Sequence, residues 1–261
     1  MQISKCDLVE FGLVEFDPSK ENMDSIAIIG KRSAGKTYLI IDLLHTRQFM
    51  KQKNTLVINP PESVINEYSS ISHPPTNMTI HYEYEKAIVD EFINTKEGTI
   101  VFDSCMYHND WMKHKGIVKL FKYGNNLKAK VILSMQFPFR IPSSFKDNMD
   151  YIFILKDSYI PTRRRVYELY CLTTIISFEE FNTLMDKIAK EPYTCLVINN
   201  KTRNIMIYKA PPLWKRIAAR KSSDLDIIRE ELMQKAWHPS RLKWCLTYDE
   251  VEEIFGNELD K

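Results

Sequence analysis

The chain has 261 residues, 44% hydrophobic and 27% charged, with a formal net charge of +2 at pH 7. It is long enough for one large α/β domain with a small appendage, and too weakly charged to mark a nucleic-acid binder by composition alone. No apolar run approaches the roughly 20 residues that cross a membrane, the N-terminus lacks a signal peptide's apolar core, and an odd cysteine count without C-x-x-C excludes a disulfide framework or zinc site, so the expected compartment is intracellular and reducing.

Residues 7–16 partly alternate and predict a strand flanking the core, closed by a turn at Asp17-Pro18. A short apolar strand follows over 25–29, then a loop, then a helix over about 36–49. The loop fits G-x-x-x-x-G-K-[ST] with Gly30, Gly35, Lys36 and Thr37. Glycines let the backbone wrap so that successive N–H groups face phosphate oxygens, and the helix N-terminus adds its positive dipole end. Lys36 suits the β- and γ-phosphates, and the Thr37 hydroxyl suits Mg²⁺. Gly30, Lys31, Arg32, Ser33, Ala34, Gly35, Lys36, Thr37 and Tyr38 are therefore the expected nucleotide contacts, with ATP and Mg²⁺ as the implied ligands. The chain holds only 7 glycines, so two in one loop is a concentrated signal.

Further strands are expected at 55–59, stopped by Pro60-Pro61, at 78–82, at 99–103, at 130–136 and at 151–155. Helices are expected over 85–94 and 111–123. Strands alternating with helices imply a parallel sheet covered on both faces. Ser177-Phe178-Glu179-Glu180 is a capping box opening a helix with Phe178, Phe181, Met185 and Ile188 on one face. Runs at 194–198 and 204–208 read as a β-hairpin. We expect a P-loop ATPase domain over 1–208. A small C-terminal helical extension over 209–261 would carry a basic patch (Lys215, Arg216, Arg220, Lys221), an amphipathic helix near 224–236 and an acidic tail.

Asp103 ends an apolar strand downstream of Lys36, where a P-loop ATPase places the acid that holds Mg²⁺ opposite Thr37. The later strand ending in Gln136 fits the additional-strand class, in which that residue senses the γ-phosphate. The expected fold is thus a three-layer α/β P-loop NTPase of that class. Catalytic candidates are Lys36, Asp103, Gln136 and Asp110. For DNA contact, residues 111–130 carry Lys113, Lys115, Lys119, Lys122, Lys128 and Lys130 with Trp111, Phe121 and Tyr123; lysines neutralise phosphates without reading sequence, though a solvated helix face is the alternative. Arg163-Arg164-Arg165 is either an arginine finger reaching a neighbouring subunit or a surface cluster.

The run Leu120-Phe-Lys-Tyr-Gly124, then Val131-Ile-Leu-Ser-Met-Gln136, then Ile141-Pro-Ser-Ser-Phe-Lys-Asp-Asn-Met-Asp-Tyr-Ile-Phe153 resembles the poxvirus-type DNA-packaging ATPases of large DNA viruses, within the FtsK–HerA superfamily. The resemblance spans roughly residues 20 to 200. It implies an ATP-driven motor that translocates double-stranded DNA into a capsid, working as a homo-oligomeric ring with a capsid or portal component, in the viral factory or virion. Three positions depart from that pattern: Ser104 stands where a second acid is usual, Tyr123-Gly-Asn-Asn replaces a Gly-Arg-His-like run, and Lys146 replaces an arginine. With Ser104 unable to act as a base, Asp110 and Glu62 are the nearest acids in sequence to activate water. Two other classes fit a phosphate loop: a nucleotide or nucleoside kinase, and a weakly hydrolysing structural subunit.

Overall fold

The computed structural model describes residues 13–60, 68, 77–95, 97–105, 111–123, 127–136, 141–172, 174 and 176–211. The chain divides after Leu213 into two units, and every described residue lies in the first. The expected basic patch, 224–236 helix and acidic tail, together with Asp110 and Glu62, lie outside the described residues.

Among the described residues, nine strands form one sheet in the order β1-β9-β8-β7-β2-β6-β5-β3-β4. Their ranges are β1 Val14–Glu15, β2 Ser25–Ile29, β3 Asn54–Ile58, β4 Asn77–His81, β5 Gly98–Asp103, β6 Ala129–Met135, β7 Tyr151–Leu155, β8 Thr194–Asn199 and β9 Ile205–Lys209. The block from β7 through β2, β6, β5 and β3 to β4 is parallel throughout. β8 runs antiparallel to both β7 and β9, and β1 pairs parallel with β9, so β8 alone points the other way. The hairpin read from the sequence is present as β8–β9. Of the expected strand over 7–16, only Val14–Glu15 is a strand among the described residues.

Side-chain alternation sorts the core into two layers, as period-two strands buried on both faces require. Ala27, Ile29, Ile100, Phe102, Leu133 and Ile152 face one cluster, while Ile26, Ile28, Val101, Ile132 and Phe153 face the other. Helix α1 (Lys36–Leu44) covers the second layer through Leu39, Ile40, Leu43 and Leu44. The first is covered by α3 (Lys86–Thr95), α4 (Lys115–Tyr123), the short α5 (Ser143–Lys146), α6 (Ile160–Tyr170) and α7 (Phe178–Lys190). This is the three-layer arrangement expected.

Local chemistry explains where helices differ from expectation. The helix expected to run to 49 ends at Leu44; His45 and Thr46 bond back to carbonyls of the last turn before the short α2 (Arg47–Met50). The helix expected from 111 begins as a 3₁₀ turn, Trp111–Lys113, and becomes α-helical only at Lys115. Helix α6 has no counterpart among the elements expected from the sequence; Pro161 in its first turn fits the helix-start preference of proline. The capping box of α7 is formed, Ser177 Oγ accepting from the Glu180 N–H at 3.3 Å while Glu180 accepts from the Ser177 N–H at 2.7 Å. Among the described residues, no helix is long and apolar enough to cross a membrane.

Candidate nucleotide-binding site

The phosphate loop leaves β2 at the C-terminal edge of the parallel block. A Cβ on Gly30 would sit 2.9 Å from Leu155 Cβ, so only glycine lets the loop turn this close to β7. Gly35 takes φ 103 as N-cap of α1, a left-handed conformation that glycine adopts without strain. Within this turn Lys36 is buried and folds back, its Nζ donating to Gly30 O and Lys31 O at 2.9 Å each. Burial lowers its pKa from the ordinary lysine value, while the Asp103 charge opposes that shift. A triphosphate would offer Lys36 a partner with real negative charge in place of the two carbonyls.

Asp103 ends β5 with its carboxylate fully buried, and its neighbours converge from four places along the chain. Thr37 Oγ1 donates to Oδ2 at 2.9 Å from the start of α1. Tyr68 OH donates to the same oxygen at 3.1 Å, and Ser134 Oγ on β6 donates to Oδ1 at 2.5 Å. Asn59 Nδ2, just past β3, donates to the Asp103 backbone carbonyl at 3.0 Å. Thr37 and Asp103 thus meet, although they are far apart in sequence. Their hydroxyl and carboxylate oxygens are the hard donors that Mg²⁺ takes, so the residues present fit that ion. Ser104 follows with φ 61, its N–H donating to Ser134 Oγ at 3.1 Å and its hydroxyl 3.4 Å from Asp103 Oδ1.

β6 lies between β2 and β5, the position that defines the additional-strand class. Gly30 N–H donates to Met135 O at 3.1 Å, which sets Gln136 beside the start of the phosphate loop. Gln136 lines a small cavity there with Gly30, Lys31, Asp157, Thr162 and Arg163. Lys31, Arg32 and Ser33 are exposed around the turn, and Lys31 Nζ donates to Ser158 Oγ at 3.0 Å.

Several expected contacts are placed elsewhere. Lys113, Lys119 and Lys122 are exposed, with Lys115, Lys119 and Lys122 spaced along α4 opposite the buried Ile117, Leu120 and Phe121. Lys130 is not part of that surface: it is buried at the start of β6, pairs with Asp24 at 2.7 Å and donates to Met23 O. Trp111 and Phe121 are core residues, not an aromatic platform for DNA. Arg163 is no arginine finger either. It is buried, pairs with Asp186 at 2.6 Å and donates to Asn182 Oδ1 at 2.8 Å, tying α6 to α7. Arg164 lies 4.1 Å over the Phe178 ring, and Arg165 pairs with Glu168.

Sequence reasoning missed Tyr68, Ser134 and Asn59. A polar residue at 134, within the apolar run 131–135, was the available signal; Tyr68 carried none.

A glycine loop between strand and helix, an acid ending the next strand but one in space, and an intervening strand followed directly by a glutamine define a P-loop NTPase fold of the additional-strand class. No known family profile matches the chain. Sequence relatives are proteins of large DNA viruses: an uncharacterized protein of Acanthamoeba polyphaga mimivirus (25% identical over 217 residues, 74% of this chain and 72% of that one) and one of Invertebrate iridescent virus 6 (27% over 231 residues, 80% and 87%). The genome packaging NTPase B204 of Sulfolobus turreted icosahedral virus 2, in complex with AMP, shares the fold at TM-score 0.55 and 14% identity, over 76% of this chain and all of that one. EssC of Geobacillus thermodenitrificans, ATPases 2 and 3, does so at TM-score 0.54 and 12% identity, over 79% of this chain and 44% of that one.

Proposed function

We propose that the chain is the ATPase of a viral genome-packaging motor, hydrolysing ATP to drive double-stranded DNA into a capsid. The observation that carries it is the meeting of Thr37 with a buried Asp103 at 2.9 Å beside a phosphate loop. The fold shared with B204, a genome packaging NTPase, and the viral origin of the sequence relatives support the packaging role. On this reading Lys36 holds the β- and γ-phosphates, Thr37 and Asp103 hold Mg²⁺, Gln136 responds to the γ-phosphate and Asp110 is the candidate to activate water. Double-stranded DNA would run along Lys113, Lys119 and Lys122 without sequence preference. We place the protein in the poxvirus-type branch of the FtsK–HerA superfamily, acting as a homo-oligomeric ring against a capsid or portal component, with residues 209–261 as its C-terminal extension.

The test is ATP turnover with and without double-stranded DNA, for the unmodified protein and for Lys36→Ala. Stimulation by DNA and loss of turnover in the variant are expected. Phosphoryl transfer to a small acceptor with no response to DNA would instead mark a kinase, and normal turnover in Lys36→Ala would remove the site assignment.

A further inference from the structure

Beside the phosphate loop stands an aromatic pair. Tyr38, directly after Thr37 in the first turn of α1, stacks on Tyr193 with ring centroids 4.4 Å apart and planes 26° from parallel. Tyr193 is brought there by the direction of β8. Because β8 alone runs against its neighbours, its entry lies at the edge where β2, β5 and β6 end. Leu155, the residue a Cβ on Gly30 would strike, pairs with Cys195, two residues past Tyr193. The Tyr38 ring and the Tyr193 backbone are both held. Tyr38 OH donates to Pro211 O at 2.7 Å, and Ala210 N–H donates to Tyr193 O at 2.9 Å. Next to them Glu191, the C-cap of α7, is tied to Lys209 at 2.7 Å.

Two features of Tyr193 are unusual for a residue that merely packs. The residue is 49% exposed, and its backbone takes φ 62, a left-handed conformation that bulky side chains rarely adopt. Strain of this kind persists where surrounding structure imposes it, and it collects at ligand clamps. A half-exposed tyrosine, stacked on a second ring one residue from Thr37, offers the kind of surface on which a nucleobase stacks.

Taking the nucleotide reading above as its basis, we propose that Tyr193, backed by Tyr38, is the base-binding platform of this site. The ligand class is a nucleoside triphosphate. Stacking reads the π-face common to every base and not its hydrogen-bonding edge, so adenine and guanine are held comparably.

Calorimetric titration with MgATP, MgGTP and magnesium tripolyphosphate tests this, using the full chain and its Tyr193→Phe, Tyr193→Ala and Tyr193→Gly variants. Tripolyphosphate isolates the phosphate loop from the base. Loss of the ring should weaken ATP and GTP about tenfold, the scale of one base–aromatic stack, while Tyr193→Phe binds as the unmodified protein does. Tripolyphosphate affinity should be the same in all four proteins. The glycine variant relaxes the left-handed backbone, so a loss shared by Ala and Gly cannot come from strain. ATP affinity unchanged in both variants would overturn the platform, as would an equal loss for tripolyphosphate. Failure of the unmodified protein to bind either ATP or tripolyphosphate would instead overturn the phosphate-loop reading on which the platform stands.

Discussion

Ser134 is the residue on which the Asp103 site turns, and Ser134→Ala is its sharpest test. The hydroxyl is buried, donates to Asp103 Oδ1 at 2.5 Å and accepts the Ser104 N–H at 3.1 Å. A hydrogen bond to a charged group contributes about 1.5 to 3 kcal/mol, and a stranded buried donor costs about 1 to 3 kcal/mol. Ser104 is only half-buried, so water can reach its N–H and the lower end applies there. The expected destabilisation is about 3 kcal/mol, a fall in Tm of about 6 to 12 °C for a domain of this size. Function should move separately. Asp103 with one donor fewer is less firmly oriented towards Thr37, so the Mg²⁺ concentration needed for nucleotide binding should rise. Scanning calorimetry and a Mg²⁺ titration at fixed ATP measure the two effects. A Tm within about 2 °C of the unmodified protein, with the same Mg²⁺ requirement, would refute the view that β6 positions the acid.

Lys36→Met should abolish triphosphate binding without lowering Tm at neutral pH. Burial lowers the Lys36 pKa, so its charged form opposes folding below that pKa; the variant's advantage should shrink as pH rises towards the ordinary lysine range, which thermal scans across pH will show. Lys113→Ala, Lys119→Ala and Lys122→Ala combined should reduce the salt slope of DNA binding by about one unit for each phosphate that is no longer neutralised, with Tm unchanged. Lys130→Ala should do the reverse, lowering Tm by removing the pair with Asp24 and leaving the salt slope intact. Arg163→Ala should lower Tm by unpinning α6 from α7, and mixtures with active protein should lose activity only in proportion to dilution; a steeper loss would restore the arginine finger.

What could be read in advance was what repeats along the chain. The apolar strands, the glycine loop and the capping box are local patterns, and each formed close to where it was expected. That Asp103 and Gln136 lie at one edge was legible because strand ends in a parallel sheet gather there. Ser134 and Asn59 were not, since their meeting with Asp103 depends on register: Ser134 pairs opposite Asp103 only once β5 and β6 are aligned. Charge misled for the same reason. Lys130 and Arg163 look like surface cations in sequence, and only the packing of Asp24 and Asp186 against them shows that they are internal ties. The Tyr38–Tyr193 stack depends on the single reversed strand, which no local periodicity encodes.

The departure at Ser104 yields a last prediction. Asp103 is engaged by Thr37, Tyr68 and Ser134, so deprotonating an attacking water calls for another group. A serine hydroxyl hydrogen-bonds water but does not take its proton near neutral pH. Turnover should therefore be slow in the isolated protein, and Ser104→Asp should raise it, general-base catalysis being worth about 10² to 10⁴-fold. The backbone decides which acid serves. With φ 61, position 104 is left-handed, a region that Asp and Asn tolerate better than longer side chains, so Ser104→Glu should gain less and fold less well. A second carboxylate beside Asp103 adds like-charge repulsion, so Tm should fall without metal and recover when Mg²⁺ is added. Steady-state turnover and calorimetry with and without Mg²⁺ separate these effects. If the unmodified protein already turns over fast, and Ser104→Asp leaves the rate unchanged, the base comes from elsewhere. Asp110→Ala, within the same protein, and a neighbouring subunit's acid then become the two remaining sources to separate.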